Sequence, residues 1–375
     1  MMAAAAIVRM GTHWLRVLDS SQGWLARDHI AQTMRLAAQS PATWTLAARL
    51  ALRLHPVMMR AGLYAMWARD LSSVLAHPPS DQALALEVRA ALGATLIAGA
   101  QWEEAREHLT QVQRAYRQHG NWLGGGQATS DGLSTSVIND ATTNHKSLSF
   151  DHYHWLKVAQ AEYDLAALAW NRGEWRRSVW LARTAIRRVV RQATRDAAAR
   201  HLYSRALDLI GLALWRMETP RRALRYLQRA LALRAPEDQR GVGHVHHHLM
   251  LVYTALGDAE AALEHAAQAR ALFEACADRE GLAYVWSDVS DVYRLQNDVA
   301  RAREALARAY ALWRELQDPA GLADFYRHLG LVETLAGEYA TARAHLAYAR
   351  QLWSTIGEPR EVARCDEALH AMEEK

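Results

Sequence analysis

The chain has 375 residues, 51% of them hydrophobic and 22% charged, with a formal net charge of +4. That apolar content supplies a large core and excludes a mainly disordered chain, and 8 prolines with 20 glycines in an Ala-, Leu- and Arg-rich background argue against a β protein. Two distant cysteines, Cys276 and Cys365, exclude a disulfide framework and a thiolate metal knuckle.

The longest apolar runs, Ala3 to Val8 and Ala90 to Ala100, are too short to span a bilayer. The amino-terminal stretch, interrupted by Arg9, does not read as a secretion signal. A soluble cytoplasmic protein is the expectation. Charge is unevenly distributed along the chain. Residues 1–171 are net +1, residues 172–240 carry 17 arginines against 6 acids, and residues 241–375 are net −8. A basic band therefore precedes an acidic end, and any account of partners has to address both.

In chain order, residues 12–78 are apolar with helical spacing, and Pro41, Pro56, Pro78 and Pro79 stand at plausible helix boundaries. Residues 1–85 read either as a helical cap or as divergent repeats. A first clear unit spans 86–118, with Leu92-Gly93, Leu96, Trp102, Ala105 and Leu109. Residues 119–150 are rich in Gly, Ser, Thr and Asn, contain Gly124-Gly125-Gly126, and sustain neither a helical nor a strand period. They are expected to form a flexible insertion, either a mobile loop or a segment that orders on a partner or folds back into a groove.

Residues 151–356 read as five further units, and 357–375 as a polar closing helix, which solenoid ends require. The carboxy-terminal half repeats itself at a period of about 40. Leu272-Phe273, Leu312-Trp313 and Leu352-Trp353 hold that interval, as do Gly281-Leu282-Ala283 with Gly321-Leu322-Ala323, and Ala262, Ala302 and Ala342. Within one period, Leu329-Gly330, Gly337, Tyr339, Ala342, Leu346 and Ala349 follow spacings of three, four and seven. These form the apolar stripes of two short helices, with Gly337 ending the first. Small residues such as Gly330 and Ala342 let the paired helices approach, and Tyr339 and Leu346 are expected to fill the space between hairpins.

This pattern of a Leu-Gly pair, a Gly-x-aromatic turn and then Ala, Leu and Ala resembles the tetratricopeptide repeat family. Further copies read Leu165, Gly173, Trp175, Ala182, Ala185; then Ile210-Gly211, Leu214, Ala223, Leu227, Ala230; then Leu249, Tyr253, Gly257, Ala262, Ala269; and then Val289, Tyr293, Ala302, Leu306, Ala309. The long period is similar to the extended-helix variety of bacterial regulators and signalling ATPases. Pro220 and Ala259 depart from the usual turn aromatic, and proline suits the first turn of a helix. The resemblance implies an all-α right-handed solenoid of antiparallel helix pairs with one long loop insertion.

No catalytic signature accompanies this architecture. Gly124-Gly125-Gly126 is not followed by Gly-Lys-Ser/Thr, and Gly241-Val242-Gly243 lacks the third glycine and preceding strand of a dinucleotide site. No Gly-x-Ser-x-Gly elbow occurs. The chain reads as a non-enzyme without cofactor. His244 and His248 lie one helical turn apart, a chelating geometry, but no third ligand stands nearby and the glutamate of a metalloprotease motif is missing. A polar groove wall is the reading adopted, with no metal.

By the resemblance, first helices line a concave groove and second helices face outward. The implied lining comprises Gln160, Tyr163, Asp164, Trp170 and Asn171, followed by Arg205, Asp208, Trp215 and Arg216 in the next unit. It continues with His244, His247 and His248; with Tyr284, Asp288, Asp291 and Arg294; and with Asp324, Arg327 and His328. Aromatic rings supply buried area and ions fix register in peptide recognition.

The arginines read differently. Arg183, Arg187, Arg191 and Arg195 are spaced by four on one second helix, and Arg221, Arg225 and Arg229 repeat the arrangement one unit later. They form a convex basic patch for an acidic surface or phosphates, or simply solvate their helices. Few aromatics for base stacking and no recognition motif accompany them.

The sequence therefore points to a non-catalytic scaffold or adaptor that binds a protein or peptide in its groove and organises or regulates a larger complex. Two alternatives stay open: a ligand- or peptide-sensing module acting on a separate effector chain, and nucleic-acid or acidic-partner binding through the arginine band. Head-to-tail self-association through the basic band and the acidic end is a further option.

Overall fold

The computed structural model describes residues 2–18, 26–60, 62–76, 78, 82–122 and 150–373. Most of the expected insertion, 123–149, lies outside the described residues. Among the described residues every regular element is an α-helix, and the chain divides into two compact units, residues 1–192 and 193–375.

Unit 1 contains α1 (Met2–Leu18), α2 (Arg27–Ala38), α3 (Trp44–Arg60), α4 (Tyr64–Leu75), α5 (Gln82–Ala98), α6 (Trp102–Trp122), α7 (Phe150–Asn171) and α8 (Trp175–Val189). Pairs α2/α3, α5/α6 and α7/α8 pack as hairpins, and α1 lies against α2 and α3. Two tryptophans organise the amino-terminal core. Trp44 Nε1 donates to the Val74 carbonyl at 2.6 Å, and Trp67 Nε1 donates to His55 Nδ1 at 3.0 Å. Burial lowers the His55 pKa to about 4, which keeps the ring neutral and able to accept. Pro56 is not at a boundary: α3 runs through it and ends four residues later. So near the helix end, the ring deletes one backbone hydrogen bond without breaking a long helix.

Unit 2 contains α9 (Ala197–Arg216), α10 (Pro220–Leu233), α11 (Gln239–Leu256), α12 (Ala259–Ala275), α13 (Arg279–Leu295), α14 (Val299–Leu316), α15 (Pro319–Leu335), α16 (Tyr339–Ile356) and α17 (Pro359–Glu373). Four antiparallel hairpins stack, and α17 packs against α15 and α16. First helices α9, α11, α13, α15 and α17 form one layer of successive neighbours, and second helices lie on its other side.

The helix starts have a common cause. Asp238, Asp258, Asp278, Asp298 and Asp318 stand twenty residues apart, and each carboxylate accepts a backbone N–H of the following first turn at 2.9–3.1 Å. Each cap satisfies a donor that the helix leaves open and contributes about 1 kcal/mol. Pro220 sits at the first position of α10, where its missing N–H has no cost. Gly257 ends α11 in the left-handed region at φ 78°, which a side chain would resist.

Close approach within a hairpin depends on the glycine of the Leu-Gly pair. A Cβ on Gly211 would stand 2.6 Å from Leu227, and one on Gly330 the same distance from Leu346. Phe273 and Trp313, one repeat apart, are wholly buried between hairpins. Trp353, the next in that series, packs with Cys365 and Val362 of α17, so α17 buries an apolar stripe. Tyr339 is 47% exposed and does not fill an inter-hairpin space; among the described residues α16 is followed by the single helix α17.

Candidate functional site

Repeat spacing brings the charged residues of unit 2 together. Positions 208, 248, 288 and 328 are equivalent in successive first helices and carry Asp, His, Asp and His. His248 Nδ1 donates to Asp208 Oδ1 at 2.7 Å, and His247 Nε2 donates to Asp288 Oδ2 at 2.7 Å. His328 then meets Asp288 at 3.8 Å, Asp291 at 3.3 Å and Asp324 at 3.3 Å. Each of these links joins two neighbouring first helices, except His328 to Asp324, which is internal to α15.

Arginines complete the network. Arg327 Nη2 donates to Asp324 at 2.7 Å and Arg294 Nε to Asp291 at 2.9 Å. Arg234, at the end of α10, reaches Asp238 at 2.7 Å and Asp208 at 3.7 Å. Arg240 Nε donates to Asp278 at 2.6 Å. Arg234, Asp278, Arg240 and the α17 residues Glu361 and Arg364 were not among the sequence-predicted lining. They come from helix ends and from α17, which no repeat-face rule selects.

The electrostatics follow from burial and pairing. Burial favours the neutral form of Asp208, but His248, Arg234 and His244 outweigh it and hold the carboxyl below its ordinary value. Burial and the field of Arg327 push His328 down, yet Asp291 and Asp324 outweigh both and raise it to about 9. Arg327 Nη2 also stands 2.7 Å from His328 Nε2, a contact that suits a neutral acceptor nitrogen. With three carboxylates within 4 Å we assign the imidazolium; Asp324 then bridges the two donors. Asp291 and Asp324 are both held well below the ordinary carboxylate range: burial opposes this, and the facing cations prevail. His244 is instead lowered to about 4, by burial first and then by His248, His247 and Arg240, and packs edge-on against Phe273.

The remaining unit 2 residues of the expected lining are half-buried. Tyr284 meets the Trp313 ring edge-on at 4.8 Å, and burial raises its hydroxyl pKa. The Arg216 guanidinium lies 4.8 Å from the Trp215 ring, and Arg205 is half-buried on α9. Among the described residues no group of three His, Cys, Asp or Glu side chains could hold a metal ion.

The expected α7 members belong to unit 1 and are placed there by themselves. Gln160 Nε2 donates to Asp164 at 2.8 Å, Trp170 packs on Trp175 at 4.6 Å, and Tyr163 and Asn171 are half-buried. Beside them Arg188 forms a two-bond fork on the fully buried Glu162, at 2.8 and 2.9 Å. A cleft of about 190 Å³ between α6, α7 and α8 is floored by Leu165 and Leu168 and rimmed by Arg106, Arg172 and the exposed Trp180.

The arginine band needs correction. Arg183 and Arg187 are exposed on α8, but that helix ends at Val189, so Arg191 and Arg195 stand in the following turn. Asp196 caps α9 by accepting from Ala199 at 2.8 Å, and the chain must leave the helix to reach that cap. The stripe of four on one helix face therefore shortens to two. Arg221, Arg225 and Arg229 do share the exposed face of α10, with Arg229 lying 5.3 Å from the Tyr203 ring. Arg183, Arg187 and Arg191 belong to unit 1, and Arg195, Arg221, Arg225 and Arg229 to unit 2.

Fold and sequence together define a helical protein of tetratricopeptide-like repeats. The tetratricopeptide repeat family model matches residues 242–315. Solved structures with the same fold include aspartyl phosphate phosphatase F from Bacillus subtilis (TM-score 0.60, 13% identity, 84% of this chain and 72% of that one). A Rap protein complexed with competence and sporulation factor is similar over 99% of this chain and 98% of its own, with TM-score 0.59 and 12% identity. NprR in complex with its cognate peptide NprX matches with TM-score 0.57 and 13% identity, over 86% and 81% of the two chains. None of the curated proteins matches the sequence. Among the described residues no helix is long and apolar enough to cross a membrane.

Proposed function

We propose that the chain is a non-catalytic regulatory scaffold that binds a peptide, or a peptide-like segment of a protein, on the first-helix face of unit 2. The observation that carries this reading is the alternating Asp208, His248, Asp288 and His328 ladder. It locks neighbouring first helices together and surrounds the half-buried Trp215 and Tyr284 with fixed charge. Preorganised ions and rings of this kind cost little further ordering when a ligand arrives. The peptide complexes of two proteins sharing the fold are consistent with it, although identities of 12–13% extend only to the fold. In this reading binding acts on a separate effector or holds a larger assembly together.

The test is co-purification from native extract at low and high salt, using wild type, a Trp215→Ala/Tyr284→Ala variant and an Arg221→Glu/Arg225→Glu variant. A partner retained at high salt, lost by the aromatic variant and kept by the charge reversal supports the groove. Loss only on charge reversal, with steep salt dependence, shifts the activity to the exposed α10 arginines and to an acidic protein or nucleic acid. Retention by both variants removes this face from consideration.

A further inference from the structure

The first-helix face of unit 2 is almost completely balanced in charge, and the exception is informative. Arg294 faces Asp291, Arg327 faces Asp324, and Arg364 Nη1 donates to Glu361 at 2.8 Å. Asp288 is taken by His247 at 2.7 Å, and His328 lies among three carboxylates. Arg216 is the cation left over. No carboxylate among the described residues forms an ion pair with it, and its Nε is buried without a hydrogen-bond partner.

What surrounds Arg216 does not neutralise it. The charges that act on it are Arg364, Glu361, Arg327 and Asp288, from three other helices, and the nearest in effect is another cation. Burial and that like charge both work against the guanidinium. Arg216 ends α9, where the partial negative charge of the helix terminus and the face of Trp215 both favour a cation. Neither is a counter-ion. Arg27, Arg234 and Arg270 also have a buried Nε without a partner; the first two hold a carboxylate through the guanidinium, and Arg270 lies on the second helix α12, away from the first-helix layer, over the Trp286 ring. A half-buried guanidinium whose Nε has neither water nor a carboxylate is unfavourable as it stands, and an arriving anion relieves that cost.

We propose that Arg216 is the anchor for a carboxylate of the groove ligand: an acidic side chain or terminal carboxylate of a bound peptide. The planar fork of arginine suits a carboxylate, which accepts two parallel N–H bonds. Trp215 packs against the guanidinium and limits its rotamers, so the donors are held ready. The carboxyl end of α9 thereby becomes one end of the binding face. This inference rests on the peptide-binding reading above and adds the chemical group that the ligand must carry.

The experiment uses the full chain with four fluorescent pools of random linear heptapeptides. The pools contain or lack Asp and Glu, and end in a free carboxylate or an amide. Binding is measured by anisotropy to wild type, Arg216→Met and Arg216→Lys. The expected result is at least tenfold weaker binding of the pool that has no carboxylate, loss of the same factor by Arg216→Met for the other pools, and partial retention by Arg216→Lys. Because Arg216 lacks a counter-ion, Arg216→Met is also expected to melt at or above the wild-type temperature. A drop of several degrees means that the guanidinium is already satisfied within the fold and overturns the proposal.

If the carboxylate-free pool binds as well as the rest, or Arg216→Met binds normally, the groove reading stands and the anchor falls. If no pool binds, the peptide reading falls, and melting with succinate and with inorganic phosphate decides the anchor separately. Stabilisation of wild type but not of Arg216→Met keeps the anion site, with a free small anion as its occupant; no stabilisation removes it.

Discussion

His248 Nδ1 donates to Asp208 Oδ1 at 2.7 Å across one repeat of forty residues, so equivalent positions of successive first helices are directly bonded. Asp208 also faces Arg234 at 3.7 Å, which makes it the shared partner of His248 and the buried Arg234. Replacing it leaves His248 without a carboxylate and Arg234 with Asp238 alone. Asp208→Ala is expected to destabilise unit 2 by about 2 kcal/mol, in the range for losing a buried hydrogen bond to a charged group. Asp208→Asn, which keeps an acceptor oxygen, is expected to lose less. Urea denaturation of both variants, and of each combined with His248→Ala, measures the coupling; additive effects would show that the link contributes nothing to stability.

The cluster around His328 sets a pH window. Its folded-state pKa of about 9 lies above the ordinary 6.5, so its contribution is complete below pH 6.5 and is lost as pH rises through about 9. Asp291 and Asp324 are depressed, so theirs is complete above the ordinary 3.8 and is lost as pH falls below it. The two together predict a stability plateau between those limits. The urea midpoint of wild type is expected to fall between about pH 6 and about pH 9.5. The fall should be smaller in His328→Gln; an equal fall in both excludes His328 as its source.

The capping aspartates give a graded test. Asp278→Ala removes the 2.9 Å bond to the Gly281 N–H at the start of α13 and is expected to cost about 1 kcal/mol. Asp258→Ala, which uncaps α12 in the same way, is expected to cost a similar amount. Amide hydrogen exchange should show the loss concentrated in the first turn of the affected helix. Uniform loosening of unit 2 would point to the Arg240 pair instead.

Gly330 separates packing from propensity. Alanine is favoured over glycine within a helix by about 1 kcal/mol, which on its own predicts stabilisation. The added Cβ, however, would meet Leu346 at 2.6 Å, and Leu346 is wholly buried. Gly330→Ala is expected to lower stability by about 1–3 kcal/mol, as overpacking does. Thermal denaturation decides the sign. Leu346→Ala is expected to cost less in the Gly330→Ala background than in wild type, because the added Cβ takes part of the space it vacates.

How much of this was readable from residues alone varies along the chain. The period of forty, the hairpins of unit 2 and the close Gly330–Leu346 approach follow from spacing and side-chain size. Asp208, His248, Asp288 and His328 could be placed on one helix face by the same spacing. Their pairing could not, because His248 pairs backward with Asp208 whereas His247, its neighbour, pairs forward with Asp288. The Arg191 and Arg195 positions failed for a local reason: the four-residue spacing continues past Val189, but the backbone turns there to present Asp196 as the next cap.

Residue spacing alone specifies the class of fold, since a repeated apolar stripe on short helices can be buried only by stacking hairpins. It determined the helix starts as well, through aspartates at twenty-residue intervals whose partners are their own neighbours in the chain. Tertiary structure alone decided which charges meet. Ion pairing depends on distances of a few ångströms between helices remote in sequence, and rotamers and helix ends set those distances. Arg216 carries the same charge as Arg327 in any sequence tally, but only the folded arrangement gives one a carboxylate and leaves the other without.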